Sequence, residues 1–498
     1  MKKGQVILVG AGPGDPGLLT IKGRHAIEQA EVVVYDRLVS QPILDLIPAT
    51  AERINVGKES SHHLVPQERI NEILLEKALE GKRVVRLKGG DPFLFGRGGE
   101  EMELLAEHHV PFQEVPGITS AIAVPAYGGI PVTHRDFCSS LHIITGHQRA
   151  GMPLNIKFDA LVKTEGTLVF LMGVSALPQI CKGLLEAGMN PQMPAAVVEK
   201  GTTPAQRPIL STLEHLPADA EKAQVKSPAI IVVGKVCALS SQFDWFDHLP
   251  LKGRQVIVTR PKERAGTLSK RLRDLGAEVT EFPCIETVPI VPCPEMEEAI
   301  SKIAEYQWLA FTSPAGVKTL MEMLDRTGRD VRALGSIKLA AIGAGTDREL
   351  RKHGLHADLI PDVYDGAHFG EALCQSHVTG KILILRAQWG TPALTDALNE
   401  SNIPYDDIRC YETKYDCPNS QEIRELLQTQ TDVLVTFTSA STVKGFIGAL
   451  DDFDKSHVVA ACIGAQTEAE AKKHGFPTIT AQKATMGALI ERILEGES

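Results

Sequence analysis

A glycine-rich and basic segment is the part of this chain that is hardest to explain as structure alone. It begins within the apolar run 84–87 and reads Arg-Leu-Lys-Gly-Gly-Asp-Pro-Phe-Leu-Phe-Gly-Arg-Gly-Gly-Glu-Glu over residues 86–101. Glycine lets a flat ligand lie directly against the backbone, and the three cations could meet acidic groups. The two glutamates have a simpler explanation, because carboxylates are favoured in the first turn of a helix. The segment predicts a ligand-binding loop.

A second glycine-rich turn, Gly-Ala-Gly-Pro-Gly-Asp-Pro at 10–16, follows the first apolar run, 6–9. One interpretation is a dinucleotide-binding turn, with Asp36 at the end of the next run binding a ribose. Pro13 and Pro16 argue against it, because each removes a backbone N–H that such a turn points at phosphate. A turn that lets the backbone approach a neutral or cationic ligand fits better, and a plain tight turn is the simplest alternative.

Four more irregular turns lie just beyond apolar runs. They read Pro-Gly-Ile-Thr-Ser at 116–120, Gly-Ile-Pro-Val-Thr-His-Arg at 129–135, Thr-Gly-His at 145–147 and Met-Gly at 172–173. Ligands of open α/β sheets bind beyond the carboxyl ends of the strands. We therefore expect one site that is built from several loops.

The elements that must position these turns alternate between short aliphatic runs and helical stretches. Runs at 6–9, 32–35 and 84–87 are separated by helices predicted near 20–30 and over 66–79. Such runs, apolar on both faces and separated by helices, predict a largely parallel sheet, and a last run at 230–233 ends the pattern. The helix over 66–79 carries its own start and stop signals, Pro66 and Gly81.

Polar and aromatic residues break this pattern after residue 240 and predict a linker over 241–253. A chain of 498 residues is too long for one hydrophobic core. We therefore predict two α/β domains, one over 1–240 and one over 254–498.

The second domain contains an internal duplication. The recurring motifs are Phe-Thr-Ser at 311–313 and 437–439, an arginine at 260 and 386, and Ile-Gly at 342–343 and 463–464. Two similar α/β lobes are predicted from it. Each Phe-Thr-Ser precedes a helical stretch, 315–324 or 442–450, where simple N-capping explains the Thr and Ser. Because helix N-termini also bind anions, its presence in both lobes favours a site for a multiply anionic molecule.

Charge and cysteine content restrict the function further. With 52 Lys and Arg against 62 Asp and Glu, the net charge of −10 argues against a nucleic-acid-coating protein. Nine cysteines without a CxxC pair predict no metal site. The prolines at 13 and 16 interrupt the apolar N-terminal run before a signal peptide or membrane span could form. We therefore expect a cytoplasmic protein without membrane partners.

Through the glycine-rich turns and loops quoted above, residues 5 to about 240 resemble the uroporphyrinogen-III C-methyltransferases of the tetrapyrrole methylase family. The resemblance implies two α/β halves with S-adenosylmethionine between them, and a homodimer through this domain. Asp36 and Lys58 align with the family's proton acceptor and donor. The residues implied to contact S-adenosylmethionine are Pro13, Gly89, Gly90, Asp91, Leu94, Thr119, Ser120, Met172 and Gly201.

These roles make chemical sense without a metal. When a pyrrole carbon attacks a sulfonium methyl group, the ring becomes cationic and must lose a nitrogen proton, which a carboxylate can accept. The substrate's carboxylates would meet a local basic surface, although each of its members could also be an ordinary solvated side chain. Its members are Arg86, Lys88, Arg97, His134, Arg135 and His147.

The second domain, over residues 254 to 498, resembles the uroporphyrinogen-III synthases. The motifs are Val-Thr-Arg-Pro at 258–261, Phe-Thr-Ser-Pro-Ala-Gly-Val at 311–317, Tyr-Glu-Thr at 411–413, Phe-Thr-Ser at 437–439 and Ile-Gly-Ala-Gln-Thr at 463–467. The resemblance implies ring closure of hydroxymethylbilane with inversion of its last pyrrole. Tyr411 aligns with a tyrosine placed to hydrogen-bond the leaving hydroxyl group. Thr312, Ser313, Ser439 and Thr467 would hold acetate and propionate groups.

The resulting hypothesis is a bifunctional enzyme that acts on small tetrapyrroles and not on nucleic acid. It would convert hydroxymethylbilane to uroporphyrinogen III and methylate that product at C2 and C7 to give precorrin-2. Two alternatives stay open at this point. One is a methyltransferase fused to a noncatalytic two-lobed ligand-binding domain, and the other is a nicotinamide-dependent oxidoreductase, suggested by the first turn and Asp36.

Overall fold

The computed structural model describes residues 3–57, 65–146, 154–260, 262–335, 337–415, 417, 420–450 and 453–496, with the backbone alone for 262–265. They form two compact units. The first consists of Met1–Arg254 with Leu272–Glu278, and the second of Gln255–Arg271 with Val279–Ser498. Among the described residues, no helix is both long and apolar enough to cross a membrane.

The first unit begins with a five-stranded sheet in the order β3-β2-β4-β1-β5, in which every pair is parallel. Its strands are β1 (Gln5–Gly10), β2 (Val32–Tyr35), β3 (Glu52–Asn55), β4 (Arg83–Lys88) and β5 (Phe112–Val115). The helices of this half are α1 (Ile21–Glu28), α2 (Gln41–Leu44), α3 (Gln67–Leu79), α4 (Gly98–Glu107) and α5 (Ser120–Tyr127). The parallel sheet predicted from the aliphatic runs is confirmed here.

The start and stop signals of α3 act as expected. Pro66 is its N-cap, and Ile70, Leu74 and Ala78 are buried at helical spacing. Gly81 follows the helix with φ +84°, a conformation that glycine adopts without strain.

The second half of the first unit differs from the expected parallel sheet. Its order is β6-β7-β10-β8-β9, and β10 is antiparallel to both of its neighbours. The expectation was wrong because β10 is buried along its whole length, and a central antiparallel strand covered on both faces has the same apolar pattern as a parallel one. The strands are β6 (Leu141–Thr145), β7 (Thr167–Leu171), β8 (Pro194–Glu199), β9 (Arg207–Thr212) and β10 (Ala229–Val233). The helices are α6 (Phe158–Lys163), α7 (Leu177–Glu186), α8 (Leu216–Lys222) and α9 (Ser240–Phe243).

The segment predicted as a linker packs on the first unit. The rings of Trp245 and Phe246 lie 5.0 and 4.8 Å from that of Tyr127. Trp245 Nε1 donates to the backbone oxygen of Ala126 at 3.2 Å, and Leu251 is buried. Residues 241–253 therefore pack on the surface of this unit, with Phe246 and Leu251 buried.

The second unit contains two five-stranded sheets, in the orders β12-β11-β18-β19-β20 and β13-β17-β16-β14-β15. The strands of the first are β11 (Gln255–Val258), β12 (Glu278–Glu281), β18 (Val433–Phe437), β19 (Val458–Cys462) and β20 (Thr478–Thr480). Those of the second are β13 (Glu286–Pro289), β14 (Tyr306–Phe311), β15 (Lys338–Ala341), β16 (Lys381–Ala387) and β17 (Tyr405–Lys414). The helices are α10 (Lys262–Asp274), α11 (Pro294–Ser301), α12 (Pro314–Arg326), α13 (Ala344–Lys352), α14 (Gly366–Gln375), α15 (Ala393–Glu400), α16 (Ser420–Thr429), α17 (Ala440–Ala449), α18 (Ala465–Lys473) and α19 (Met486–Glu495).

The two lobes interleave the two copies of the repeat. The first copy supplies β11 and β12 to one sheet and β13, β14 and β15 to the other. The second copy supplies β16 and β17 to the sheet that contains β13, β14 and β15. It supplies β18, β19 and β20 to the sheet that contains β11 and β12. A lobe therefore does not correspond to one copy of the repeat, because each copy crosses from one sheet to the other.

An aromatic cluster fills the core of the lobe that contains β18. The ring of Phe446, which is fully buried, lies 5.9 Å from Phe282, 5.5 Å from Phe437 and 6.3 Å from Phe476, centroid to centroid. All three contacts are close to edge-to-face, which is a favourable arrangement of aromatic rings.

We expect Phe446→Ala to lower the free energy of unfolding of the second unit by about 3–5 kcal/mol. The substitution removes a buried ring and leaves a cavity inside the aromatic cluster. Urea titration of the full chain measures the change. Val363→Ala is the control, since Val363 is exposed and its loss should cost less than about 1 kcal/mol. Equal effects of the two substitutions would contradict the packing described here.

Candidate active site

Glycine backbones meet where β1, β4 and β5 end. Gly12 N donates to Gly90 O at 3.1 Å, and Gly90 N donates to Gly12 O at 2.7 Å. A Cβ on Gly117 would overlap the carbonyl oxygen of Gly90, and one on Gly10 would overlap the backbone of Gly117. Only glycine permits loops to approach this closely.

The side chain of Asp91 organises the loop after β4. Its Oδ1 accepts hydrogen bonds from the N–H groups of Phe93 at 2.9 Å and Leu94 at 3.0 Å. Its Oδ2 accepts one from the N–H of Gly117 at 3.1 Å. Asp91 therefore fixes the loop after β4 against the loop after β5, and both of its carboxylate oxygens are occupied by backbone N–H groups.

The loops after β4 and β5 leave open space beside the backbone of Gly90, which is called the glycine cradle below. Gly90 has φ +69°, and the nearest atom to the position of a Cβ there is Ser120 N, at 4.0 Å. Thr119 caps α5 by accepting a hydrogen bond from Ala121 N at 3.3 Å. A flat or extended ligand fits such an open space, which lies between the backbone of Gly90 and that of Ser120.

Residues other than glycine adopt positive φ in the loops of the first unit that follow β4, β7 and β8. Among the described residues, ten other than glycine have positive φ. Five of them directly follow a helix cap, where such a conformation ends the helix. The remaining five all lie in loops of the first unit, namely Phe95, Arg97, Met172, Lys200 and Thr202. Because strained backbone costs free energy and clusters at functional sites, these loops mark a site.

The first turn reaches the second half of this unit. Asp15 N donates to Thr202 Oγ1 at 3.4 Å, and Tyr127 donates its hydroxyl proton to Asp15 Oδ2 at 2.6 Å. A Cβ on Gly14 would lie 3.8 Å from the backbone oxygen of Gly201. The turn that contains Pro13 and the loop that contains Gly201 are therefore neighbours. Met172, directly after β7, is 49 % exposed and has positive φ, so it lies at the surface of a strained loop.

Asp36 lies beside the buried cations of β4. Arg86 Nη2 donates to Asp36 Oδ2 at 3.4 Å, and the Asp36 side chain is 25 % exposed. Arg86 and Lys88 are only 3 % and 5 % exposed, and both bind Glu101 Oε1, at 3.1 and 2.7 Å. Burial, with the charge of Arg86, lowers the pKa of Lys88.

This burial corrects the prediction that Arg86 and Lys88 belong to an open basic surface. Both cations are buried and share the carboxylate of Glu101 inside the protein, so neither extends its charged end freely to the surface. It also corrects the interpretation of Glu101 as an ordinary first-turn carboxylate, because its side chain is fully buried. Sequence reasoning missed Glu101, although its spacing of four from the buried Leu105 was a usable signal.

Three of the other predicted substrate cations, Arg97, His134 and Arg135, are at the surface. Arg97 and Glu100 pair at 2.6 Å with about half of each side chain exposed. His134 packs edge-on against Phe137, with the ring centroids 5.0 Å apart, and Arg135 is exposed. Lys58 and His147 lie outside the described residues.

In the second unit, Tyr411 on β17 and Ser313, the N-cap of α12, come together. Their hydroxyl oxygens are 2.7 Å apart, and Ser313 Oγ also accepts from Ala315 N at 3.1 Å as the N-cap of α12. Burial raises the pKa of Tyr411, although hydrogen bonds to Ser313 and Thr312 oppose the rise. The phenol therefore stays protonated at neutral pH and can donate a hydrogen bond.

The other lobe repeats this geometry. Ser439 caps α17, and its backbone angles, φ −166° and ψ 160°, match those of Ser313, φ −165° and ψ 164°. The duplication is therefore present in the structure as well as in the sequence. Thr467 is 4 % exposed and its counterpart Thr346 is 2 % exposed, so both mainly pack within the protein.

Comparison with known proteins agrees with the division of the chain into two units. The family described as "Tetrapyrrole (Corrin/Porphyrin) Methylases" matches residues 5–217, and the family "Uroporphyrinogen-III synthase HemD" matches residues 266–491. The chain is 49 % identical to the porphyrin biosynthesis protein HemD of Ruminiclostridium josui, over 99 % of this chain and 98 % of that protein. It is 43 % identical to the uroporphyrinogen-III C-methyltransferase of Bacillus subtilis, over 73 % of this chain and 74 % of that protein.

Among solved structures, the uroporphyrin-III C-methyl transferase of Thermus thermophilus complexed with S-adenyl homocysteine is 40 % identical to the chain. That similarity covers 47 % of this chain and 100 % of the other, with a TM-score of 0.41. Both matched families are families of tetrapyrrole enzymes, so neither match supports the oxidoreductase or the noncatalytic alternative. The chain belongs to the tetrapyrrole methylase family through its first half and to the uroporphyrinogen-III synthase HemD family through its second half, and it is a bifunctional enzyme of tetrapyrrole biosynthesis.

Proposed function

We propose that the second unit closes hydroxymethylbilane to uroporphyrinogen III and that the first unit methylates this product at C2 and C7 to give precorrin-2. The observation that carries the methylation step is the open glycine cradle at the carboxyl ends of β1, β4 and β5, in the same sheet as Asp36 at the end of β2. The same sheet thus carries a possible cofactor site and a carboxylate that can accept a proton. A homodimer through the first unit stays a prediction.

S-adenosylmethionine is the proposed methyl donor, and it supplies a methyl group activated on a sulfonium centre. The residues proposed to hold it are Pro13, Gly89, Gly90, Leu94, Thr119, Ser120, Met172 and Gly201, with Asp91 fixing the loop that carries three of them. The bare backbone at Gly90 and the partly exposed side chain of Met172 fit a nucleoside that carries a sulfonium side chain.

Asp36 is proposed to take the nitrogen proton that the methylated pyrrole must lose. The carboxylate is partly exposed, while Leu38 N donates to its Oδ1 at 3.0 Å and Arg86 donates to its Oδ2. These two donors fix its orientation and leave lone pairs for the substrate. Lys58 stays the proposed proton donor. Arg97, His134 and Arg135 are the proposed contacts for the substrate's carboxylates, since their side chains reach the surface.

The direct test supplies uroporphyrinogen III together with S-adenosylmethionine labelled with ¹³C in its methyl group. Mass spectrometry should find a product that carries two labelled methyl groups, and carbon NMR should place them at C2 and C7. A product without label, or with label at other ring positions, would overturn the proposed methylation step.

The proposed ring closure depends mainly on conformation. The reaction is intramolecular, so a site that holds the linear substrate in the inverting shape supplies most of the rate enhancement. Tyr411 is proposed to donate a hydrogen bond to the departing hydroxyl group. Thr312, Ser313 and Ser439 are proposed to fix the acidic side groups at the N-terminal ends of α12 and α17, whereas the burial of Thr467 argues against the contact predicted for it.

Tyr411→Phe is therefore expected to slow the formation of uroporphyrinogen III by about 2- to 10-fold, the value of one hydrogen bond. Tyr405→Phe on the same strand is the matched control, because its hydroxyl group bonds only to the exposed side chain of Asn399 among the contacts described. Chromatography of oxidised products, which separates the type I and type III isomers, measures both variants. A Tyr411→Phe enzyme as fast as Tyr405→Phe would remove Tyr411 from the mechanism.

A further inference from the structure

A buried group of charged side chains lies directly behind Asp36. Glu101 Oε1 accepts hydrogen bonds from Arg86 Nε at 3.1 Å, Lys88 Nζ at 2.7 Å and Gln67 Nε2 at 3.1 Å. The side chain of Glu101 is completely buried, and its second oxygen, Oε2, has no hydrogen-bond partner among the described residues. Three polar side chains from β4 and α3 thus converge on one oxygen of α4.

Burying such a group is costly. Each charge loses its hydration, and their mutual attraction only offsets that loss when the geometry is good. Apolar residues of similar volume would serve a purely structural role at least as well. A buried ion pair network that ends at a proposed catalytic carboxylate is therefore better explained by a need to place charge there.

The guanidinium group of Arg86 connects this network to Asp36. Its Nε is held by Glu101, and its Nη1 donates to the backbone oxygen of Leu87 at 3.0 Å. Those bonds set the plane of the guanidinium and leave Nη2 facing Asp36 Oδ2, 3.4 Å away. Since Arg86 cannot lose its proton, it presents a fixed positive charge to that carboxylate.

We propose that Glu101 is a positioning residue of the methyl-transfer reaction, which acts by holding Arg86 so that Arg86 orients the carboxylate of Asp36. The proposal rests on the proposed role of Asp36 as proton acceptor. It also gives Arg86 and Lys88 a function other than contact with the substrate, because their side chains are occupied by Glu101.

The test is a double-mutant cycle in the full-length protein that combines Glu101→Gln with Asp36→Asn, measured as kcat for methyl transfer from radiolabelled S-adenosylmethionine. Glu101→Gln alone should lower kcat by about 10- to 100-fold, because it removes the negative charge that Arg86 and Lys88 share and loosens the hold on Arg86. In the Asp36→Asn background the same substitution should lower kcat by less than about 3-fold, because residues that act as a unit are not additive.

Glu103→Gln is the matched control, since Glu103 is an exposed glutamate on the same helix, and it should leave kcat unchanged. Titration calorimetry should give unchanged stoichiometry for S-adenosylmethionine with each variant, which separates lost positioning from lost folding. If Glu101→Gln fails to bind the cofactor, Glu101→Asp takes its place in the cycle, because it keeps the charge but shortens the side chain.

The possible results distinguish an error in the role of Glu101 from an error in the role of Asp36. Equal effects of the Glu101 substitution in both backgrounds, or none in either, would overturn the positioning role of Glu101. An Asp36→Asn enzyme with wild-type kcat would instead overturn the role of Asp36 in the proposed function. An effect of Glu101→Gln that largely disappears in the Asp36→Asn background would support the inference.

Discussion

Asp36→Asn is expected to lower the rate constant for methyl transfer by about 10²- to 10⁴-fold, the usual contribution of a positioned general base. Asparagine keeps the size of the side chain but cannot accept the pyrrole proton. The affinity for S-adenosylmethionine should stay nearly the same, because the proposed cofactor cradle is formed by the loops after β1, β4 and β5. Single-turnover kinetics with uroporphyrinogen III measures the rate constant, and calorimetry measures the affinity.

Asp159→Asn is a suitable control, since Asp159 is an exposed carboxylate in the first turn of α6. Its substitution should leave both quantities unchanged. Should Asp36→Asn transfer methyl groups as fast as Asp159→Asn, Asp36 is not the proton acceptor.

Gly117→Ala is expected to weaken the binding of S-adenosylmethionine by about 10- to 100-fold. The new Cβ would overlap the carbonyl oxygen of Gly90, and forced repacking of tightly packed backbone costs about 1–3 kcal/mol. Asp91, which bonds the N–H of Gly117, would be displaced with it. The loop would then lose the shape on which the proposed cofactor site depends.

Gly99→Ala provides the comparison for this prediction. Nothing lies within 4 Å of the Cβ position at Gly99, and alanine is favoured over glycine in a helix. Equilibrium binding measures the affinity of both variants for S-adenosylmethionine, and circular dichroism verifies that each variant is folded. Equal affinities would show that the contact between Gly117 and Gly90 does not shape the binding site.

The sequence predicted the elements that local patterns determine. The first parallel sheet and α3 were predictable because aliphatic runs and helix end signals are local features. The direction of β10 was not, because a strand buried on both faces has the same pattern in either direction. The duplication predicted two lobes, yet nothing local to the repeat shows that each copy crosses from one sheet to the other.

The candidate site was predictable as a set of loops but not as a set of contacts. Glycine and proline mark the turns around Gly12, Gly90 and Gly117, and the structure joins these by backbone contact. The burial of Arg86 and Lys88 was not predictable, since a cation within an apolar strand can also extend its charged end to solvent. Their partner Glu101 lies on a different element, α4, so only the folded chain shows the pairing.

The proposed function as a whole is tested most directly by supplying the purified protein with hydroxymethylbilane, with and without S-adenosylmethionine, and identifying the products. Without the methyl donor, the type III macrocycle should accumulate in unmethylated form. With it, the same macrocycle should appear with two added methyl groups. An unmethylated type I macrocycle under both conditions would contradict the assignment of both units.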